Sequence, residues 1–388
     1  MSTAGATRNI PLAKTVMGEL EAEAAKRPIM AGWITQGPEV AAFEREFGLY
    51  VGARHACAVS NCTTALHLAL IAVGVQPGDE VITVSHSYIA TANSIRYCQA
   101  EPVFVDIDPL TQNMDPALIE PAITARTRAI LCVHQIGMPC DMPAILAVAR
   151  RHGLPVIEDA ACASGSEILV NDTWERIGKP HGDIACFSFH PRKVISTGDG
   201  GMLTTNNPQY DAQFRLLRQH GMSVNDRVRH SAREVIFEEH AIVGFNYRMT
   251  DIQAAVGREQ LKRLPQIVAA RRRLAAGYGR LLADVAGLQT PTEPIWARTN
   301  WQSYSVRIPE WCDQRAVMQH LLDAGVASRR GIMCAHREAP YRAIGQHCRL
   351  PESEHAQDRT IILPLYPQME EDDQAYVCAM LRKACVQR

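Results

Sequence analysis

The feature that most narrows the fold is a repeated exchange of short β-branched runs with helix-length stretches through the first half of the chain. NCTTALHLALIAVG, EVITVS, SYIATANSIRYC, PVFVDI, PALIEPAI, AILCVH, MPAILAVARRHG, PVIEDA and DIACFSF follow one another between residues 61 and 189. The strand-like runs are apolar without alternation, as expected when both faces of a sheet are covered. The pattern predicts an α/β fold, with a mostly parallel sheet between layers of helices. Ligands of such sheets bind beyond the carboxyl ends of the strands.

Before this region, the first 30 residues read as a polar lead-in with a short helix, and another helix starts after Pro38. Beyond it a long helical pattern runs from Asp251 to about Ala286. SYSVRIP, residues 303–309, then reads as an isolated strand, followed by the helix-like CDQRAVMQHLLDAG. There is no internal repeat and no low-complexity segment.

A length of 388 residues, 47% apolar and 21% charged, suits two domains with substantial cores. The formal net charge of −1 argues against a basic field that would recruit nucleic acid or an anionic membrane. The run Arg271, Arg272, Arg273 lies in a polar helical pattern and reads as solvated surface. Twelve cysteines are scattered without a CxxC pair, and several, such as Cys132 and Cys186, sit inside apolar runs. Buried free thiols are therefore expected rather than disulfides or a metal, in keeping with a reducing cytoplasm. His336 and Arg337 near Cys334 lack the spacing and acidic partners of a metal site, so no metal is expected. The N-terminus lacks a cationic segment followed by an apolar core, and no apolar run reaches the roughly 18 residues that span a membrane.

Against this background one lysine and one aspartate stand out. FSFHPRKVISTGDGG, residues 187–201, places Lys193 between a buried strand and a turn of small residues, and PVIEDAA delivers Asp159 at a strand end. An amine near an acid at the mouth of an α/β sheet is what pyridoxal phosphate chemistry requires. The amine forms a Schiff base, and the acid keeps the pyridine nitrogen protonated. A lone aspartate there would ordinarily cap a helix. In NCTTALHLAL, Thr63 and the free N–H groups of a helix's first turn can meet a phosphate dianion, or Thr63 and Thr64 simply cap the helix.

ITQGPEVAAFEREF (34–47), AVSNCTTALHLAL (58–70), PGDEVITVSHSYIATANSI (77–95), PVFVDIDPLT (102–111), VIEDAA, the Lys193 segment and VGFNYRMTDIQAAVGREQL (243–261) together resemble, in order, the motifs of the DegT/DnrJ/EryC1/StrS family of sugar aminotransferases. The resemblance covers nearly the whole chain. It implies the fold-type I architecture of pyridoxal 5'-phosphate enzymes: a mostly parallel seven-stranded sheet in a large domain, 1–255, and a smaller C-terminal α/β domain, 256–388. Lys193 matches the cofactor-bearing catalytic lysine, and Cys62, Thr63 and Ser188 fall where the family binds phosphate. Many relatives have glycine at the position of Cys62, so its side chain requires a negative φ and a Cβ turned away from the phosphate. Tyr88 matches the aromatic stacked on one face of the pyridine, and Ala161 the small residue beneath the other. Each has a plain packing alternative.

Cys162 departs from the glutamine or histidine that many relatives place near the cofactor's phenolic oxygen, and a thiol is a weaker donor. Another neighbour or water then supports that oxygen, or the basicity of the internal aldimine differs. His134 and His190 resemble positions around the pocket, with a satisfied core histidine as the alternative for each. Asn246 resembles the asparagine that reaches the phosphate of a neighbouring subunit, which implies a homodimer with shared active sites. Its alternative is a loop asparagine supporting a turn.

The resemblance implies amino transfer from a small-molecule donor, glutamate or glutamine, to a keto acceptor. A nucleotide-linked ketosugar leads. A keto-inositol or another cyclic ketone of natural-product pathways, including antibiotic ones, is the alternative. The segment ASRRGIMCAHREAPY, 327–341, departs from the histidine-tyrosine pattern of nucleotide-sugar members. Arg329, Arg330 and Arg337 in it are candidates for a phosphate or carboxylate, or for solvated surface. Pyridoxamine-dependent deoxygenation is disfavoured, since that branch typically replaces the lysine with histidine.

Overall fold

The computed structural model describes residues 8–224 and 234–386. Two helices, α1 (Glu19–Ala31) and α2 (Pro38–Val51), precede the sheet. The Asp251 carboxylate caps α2 from far along the chain, accepting the N–H groups of Gly37 (2.8 Å), Glu39 (3.1 Å) and Val40 (3.0 Å). The α/β region then runs β1 (His55–Val59), α3 (Cys62–Ala72), β2 (Glu80–Val84), α4 (Ala90–Tyr97), β3 (Glu101–Val105), β4 (Thr127–Val133), α5 (Met142–His152), β5 (Val156–Asp159), β6 (Glu167–Val170), β7 (Thr173–Arg176), β8 (Ile184–Ser188), β9 (Gly201–Thr205) and α6 (Pro208–Leu217).

Seven of these strands form one sheet in the order β1-β9-β8-β5-β4-β2-β3. All neighbours are parallel except β9, which is antiparallel to both β1 and β8. The mostly parallel, seven-stranded expectation holds. Because β9 alone is reversed, the carboxyl ends of β1, β2, β4, β5 and β8 all open on one edge.

PALIEPAI differs from the helix-length reading. It forms two short 3-10 turns, Pro116–Leu118 and Glu120–Ala122, because Pro116 and Pro121 bring no N–H to an α-helical ladder. The hairpin β6–β7, which β10 (Ala297–Arg298) joins through β6, was not anticipated. Its turn residues Asn171 (φ 47°) and Asp172 (φ 61°) are left-handed, as a two-residue hairpin loop demands.

The long helix α7 (Asp251–Leu282) is capped by Thr250 and Gln253 and joins two cores. Its first half packs Ala254, Leu261, Leu264, Ile267 and Val268 against the large sheet. From Leu274 onward Ala275, Tyr278 and Leu282 belong to a second core. The division expected at 255 thus falls inside this helix, and the packing changes over between Val268 and Leu274. The second core is built on β11 (Tyr304–Arg307), α8 (Gln314–Asp323), β12 (Arg329–Arg330), β13 (Thr360–Leu363) and α10 (Glu371–Ala384), with α9 (Pro351–Arg359) leading into β13. Ile10 of the lead-in packs there as well. SYSVRIP is not isolated, since β11 and β12 flank β13 in an antiparallel sheet.

The arginine run is also corrected. Arg271 is buried and its Nη1 donates to the carbonyls of Trp301 (3.0 Å), Gln302 (3.1 Å) and Leu365 (3.2 Å). Arg272 reaches the carbonyl of Thr299 (3.0 Å) and Glu167 (3.1 Å), leaving only Arg273 exposed. A helix that bridges two cores buries part of its polar side, so three adjacent arginines meet three environments. All twelve cysteines are free, and among the described residues no cluster suits a metal and no helix is long and apolar enough to cross a membrane.

One buried carboxylate, Glu44, with two arginines ties α2, β1 and α6 together. Arg218 donates to Glu44 and to the carbonyl of Ala58. Arg215 donates to Glu44 (2.8 Å) and to the carbonyl of Ala56 (2.8 Å). Burial alone would raise the Glu44 pKa, but Arg218 and Arg215 outweigh it and hold the carboxyl below its ordinary range. With a depressed folded pKa, the contribution is present above the unfolded glutamate pKa and is lost as pH falls through the folded one. Glu44→Gln should therefore cost about 3 kcal/mol at neutral pH. It should also flatten the acid limb of stability against pH, measured by urea unfolding; an unchanged acid limb would show that another carboxylate governs it.

Candidate active site

The strand β8 is buried along its length and ends at Ser188, from which the chain turns sharply. The Lys193 N–H donates to the carbonyl of His190 (2.8 Å), and the Thr197 N–H to that of Phe189 (3.0 Å). This closed turn carries Lys193 back over the sheet edge, where its Nζ donates to Cys162 Sγ at 3.0 Å. Burial disfavours the ammonium, but Cys162, Cys62 and Asp159 outweigh it, and the Lys193 pKa lies above the ordinary lysine value.

Asp159 ends β5, the strand beside β8, and is buried. Its Oδ2 accepts the Thr91 hydroxyl (2.8 Å) and its Oδ1 the Ala161 N–H (3.1 Å). Burial raises its pKa, and Thr91, the Ala161 amide and Lys193 offset this only in part. Among the described residues no cation forms an ion pair with it. Thr91, on the first turn of α4, escaped the sequence reading because a threonine in YIATANS carries no signal of the strand it will face.

The helix α3 points its N-terminus at the same edge. Asn61 caps it by accepting the Thr64 N–H (2.9 Å), while the amides of Cys62 and Thr63 lie in the first turn, where no intrahelical acceptor exists. Cys62 does not have a positive φ, so it sits in the helix's first turn without backbone strain. Behind it Gly201 opens β9. A Cβ there would lie 2.5 Å from the Asn61 carbonyl and 2.8 Å from the Cys62 nitrogen, so only glycine lets the strand approach this turn. The glycine pair at 200–201 is the sequence signal for that approach.

The remaining candidates are distributed as follows. The Ser188 hydroxyl accepts the His190 N–H (3.3 Å), and His190 Nδ1 accepts the Arg192 N–H (3.2 Å). Burial, with Arg192 and Lys193, lowers the His190 pKa. Tyr88 stands 66% exposed between β2 and α4, and Ala161 is half-buried in the turn after Asp159. His134 is fully buried, with Nε2 bonded to Glu158 (3.0 Å) and Nδ1 accepting the Cys140 N–H (3.0 Å), so neither ring nitrogen is open to a ligand. Asn246 pairs with Gln219 in a β-bridge, and the next residue, Tyr247, accepts the Ser60 N–H (2.8 Å). Arg329 and Arg330 are exposed on β12, and Arg330 faces Glu338 at 3.7 Å. Arg337 is engaged by Asp358 (2.7 Å) and Glu354 (3.1 Å).

His336 also takes part at this edge, though outside the lysine cluster. It is buried, with Nδ1 2.6 Å from the Ser85 hydroxyl at the end of β2 and Nε2 3.0 Å from Glu354, and so stitches the C-terminal segment onto the sheet.

Residues 16–382 match the model of the DegT/DnrJ/EryC1/StrS aminotransferase family. The chain is 45% identical to GDP-perosamine synthase of Caulobacter vibrioides over 80% of each chain. It is 38% identical to the spore coat polysaccharide biosynthesis protein SpsC of Bacillus subtilis over 94% of each. In structure it resembles S. venezuelae DesV in complex with a ketimine intermediate, with a TM-score of 0.87 and 32% identity, over 98% of this chain and 100% of that one. A lysine and an only partly compensated buried aspartate at the carboxyl edge of a seven-stranded sheet agree with those likenesses. The chain belongs to the DegT/DnrJ/EryC1/StrS aminotransferase family and is a fold-type I aminotransferase that uses pyridoxal phosphate.

Proposed function

We propose that the enzyme moves the amino group of glutamate or glutamine onto a ketosugar linked to a nucleoside diphosphate, with Lys193 as carrier and base. The observation that carries the site assignment is the convergence of Lys193, Asp159 and the open N-terminus of α3 on one edge of the sheet. The residues present fit pyridoxal phosphate on two counts. Asp159 is a buried carboxylate whose burial Lys193 offsets only in part and which has no ion pair among the described residues, and the first-turn amides of Cys62 and Thr63 stand where a dianion is favoured.

When bound, the cofactor supplies an aldehyde for the donor nitrogen and a ring that spreads the electron pair left as a Cα–H bond breaks. Asp159 keeps the ring nitrogen protonated, since a cation at that point removes the penalty of its burial. The Cys62 and Thr63 amides, the Thr63 hydroxyl and the Ser188 hydroxyl hold the phosphate. Tyr88 and Ala161 would flank the ring, and the Cys162 thiol lies beside Lys193. Lys193 Nζ would be the base that takes the proton from the donor's α-carbon and delivers it onward.

The likeness to GDP-perosamine synthase supports a nucleotide-linked acceptor. Of the three arginines considered, Arg337 is already neutralised by two carboxylates, so Arg329 and Arg330 are the pair proposed to meet the acceptor's anionic part. The working unit in this reading is a homodimer in which Asn246 reaches the partner's phosphate site. In the segment before Asn246, Val235, Phe237 and Val243 stand 84%, 89% and 90% exposed, as a surface that a second copy would cover.

Reduction of the purified enzyme with borohydride and peptide mapping should place the cofactor on Lys193, and Lys193→Ala should abolish turnover. An adduct solely on another lysine would overturn the assignment. Asp159→Asn should slow the donor half-reaction on the order of 100-fold without lowering the thermal midpoint of the cofactor-free protein. The amide keeps the Ala161 contact, Thr91 can reverse its hydroxyl toward Ser87, and the burial penalty of the charge disappears. Near wild-type half-reaction rates with bound cofactor would exclude Asp159 from this role.

Asn246→Ala should weaken cofactor retention by roughly 1.5–3 kcal/mol. Mixed under subunit exchange, K193A and N246A subunits should regain part of the activity, because one of the two composite sites then carries both native residues. No recovery in a confirmed heterodimer would rule out sharing.

A further inference from the structure

The contact between Lys193 and Cys162 is held at both ends by one segment of the second core. Asn300 is fully buried, and its Nδ2 donates to the carbonyls of Cys162 (2.7 Å) and Ser164 (2.9 Å). Its Oδ1 accepts the Gln302 N–H (2.8 Å), and its own N–H donates to the Ser166 hydroxyl (3.0 Å). Both donors of the amide are thus spent on the turn that follows Asp159, whose carbonyls would otherwise be buried unpaired. Two residues on, Gln302 Nε2 donates to the carbonyl of Arg192 (2.9 Å), the residue that precedes Lys193.

The segment is itself rigidly placed. Trp301 between these two residues has φ 51°, a left-handed conformation that a bulky side chain keeps only when its surroundings impose it. Arg271 does so from α7 by donating to the carbonyls of Trp301 and Gln302, and the Thr299 hydroxyl accepts the Trp301 N–H (3.1 Å). On the far side Gly137 lies so close that a Cβ there would be 2.1 Å from Asn300 Oδ1. The amide therefore has no room to turn.

We propose that Asn300, supported by Gln302, is a positioning residue for the amino-transfer reaction: from the second core it fixes the turn that holds the Cys162 thiol against the Lys193 amine. The proposal rests on the reading of Lys193 as the cofactor's carrier. Groups facing Lys193 are Cys162, Cys62 and Asp159, with His190 and Arg192 in its own turn. Of these, Cys162 alone is held by Asn300. Loss of the two amide donors should loosen this one neighbour and leave the others in place.

The test is a pH titration of the visible absorption of the holoenzyme, comparing wild type, Asn300→Asp, Gln302→Ala, Cys162→Ala and the N300D/C162A double variant. Asn300→Asp sets an oxygen against two carbonyl oxygens and should move the midpoint by about 0.5–1 pH unit. Cys162→Ala should move it comparably, and the double variant should show no further shift, since both changes act through the same thiol. Gln302→Ala, at a half-buried position, should shift the midpoint by a smaller amount and decides the matter if N300D does not fold.

A folded N300D with the wild-type midpoint would overturn the proposal, as would a shift that survives undiminished in the C162A background. So would an unshifted Q302A where N300D cannot be obtained. If instead K193A retains the wild-type band and its titration, the assignment of Lys193 fails, which is a separate result.

Discussion

Asp159 is a carboxylate buried with two neutral hydrogen bonds and, among the described residues, no ion pair, so that the attraction of Lys193 and His134 offsets its burial only in part. Its neighbour on the same strand shows the contrast. Glu158, directed to the other face of the sheet, is bonded to His134 (3.0 Å) and the Gly182 N–H (2.7 Å), with His181 at 4.0 Å. Burial would raise the Glu158 pKa, but those partners outweigh it and hold it below the ordinary range. Asp159 receives two neutral hydrogen bonds instead, and its pKa stays raised. One carboxylate is satisfied within the fold, whereas the burial of the other is offset only in part.

The order of the sheet follows from the same need. Placing β5 between β4 and β8 sets Asp159 next to the strand that ends in Ser188 and leads to Lys193. The reversed strand β9 closes the other side of β8, and Gly201 allows it to pass against the N-terminus of α3. A charge, an amine and a helix end, contributed by residues 62 to 193, thereby share one edge although nothing local links them.

The second core is more than an appendage. Through α7 its packing is continuous with that of the large sheet, and Arg271 anchors residues 301 and 302 from that helix. Asn300 and Gln302 pass this placement on to the turns carrying Cys162 and Lys193. His336 makes a separate connection to the end of β2. Motion of the second core relative to the first would therefore be felt at the lysine.

The strands, their mostly parallel arrangement and the edge that bears the site were legible because period and composition are local properties, readable wherever a β-branched run or a capped helix occurs. The acid and the amine were legible because Asp159 ends one buried strand and Lys193 lies in the turn that follows another. The hairpin at Asn171 and Asp172 was missed because its two strands are only four residues each, and the prolines at 116 and 121 argued against the helix-length reading of that stretch. Arg271 looked like solvated surface because its partners, the carbonyls of residues 301, 302 and 365, lie about 30 and 94 positions away. Thr91 and Asn300 carry no pattern of their own, and the glycine pair at 200–201 does not say which turn it lets approach. Their importance comes from hydrogen bonds and close approaches across the fold, and those exist only once tertiary packing has chosen which distant carbonyl, carboxylate or helix turn each one faces.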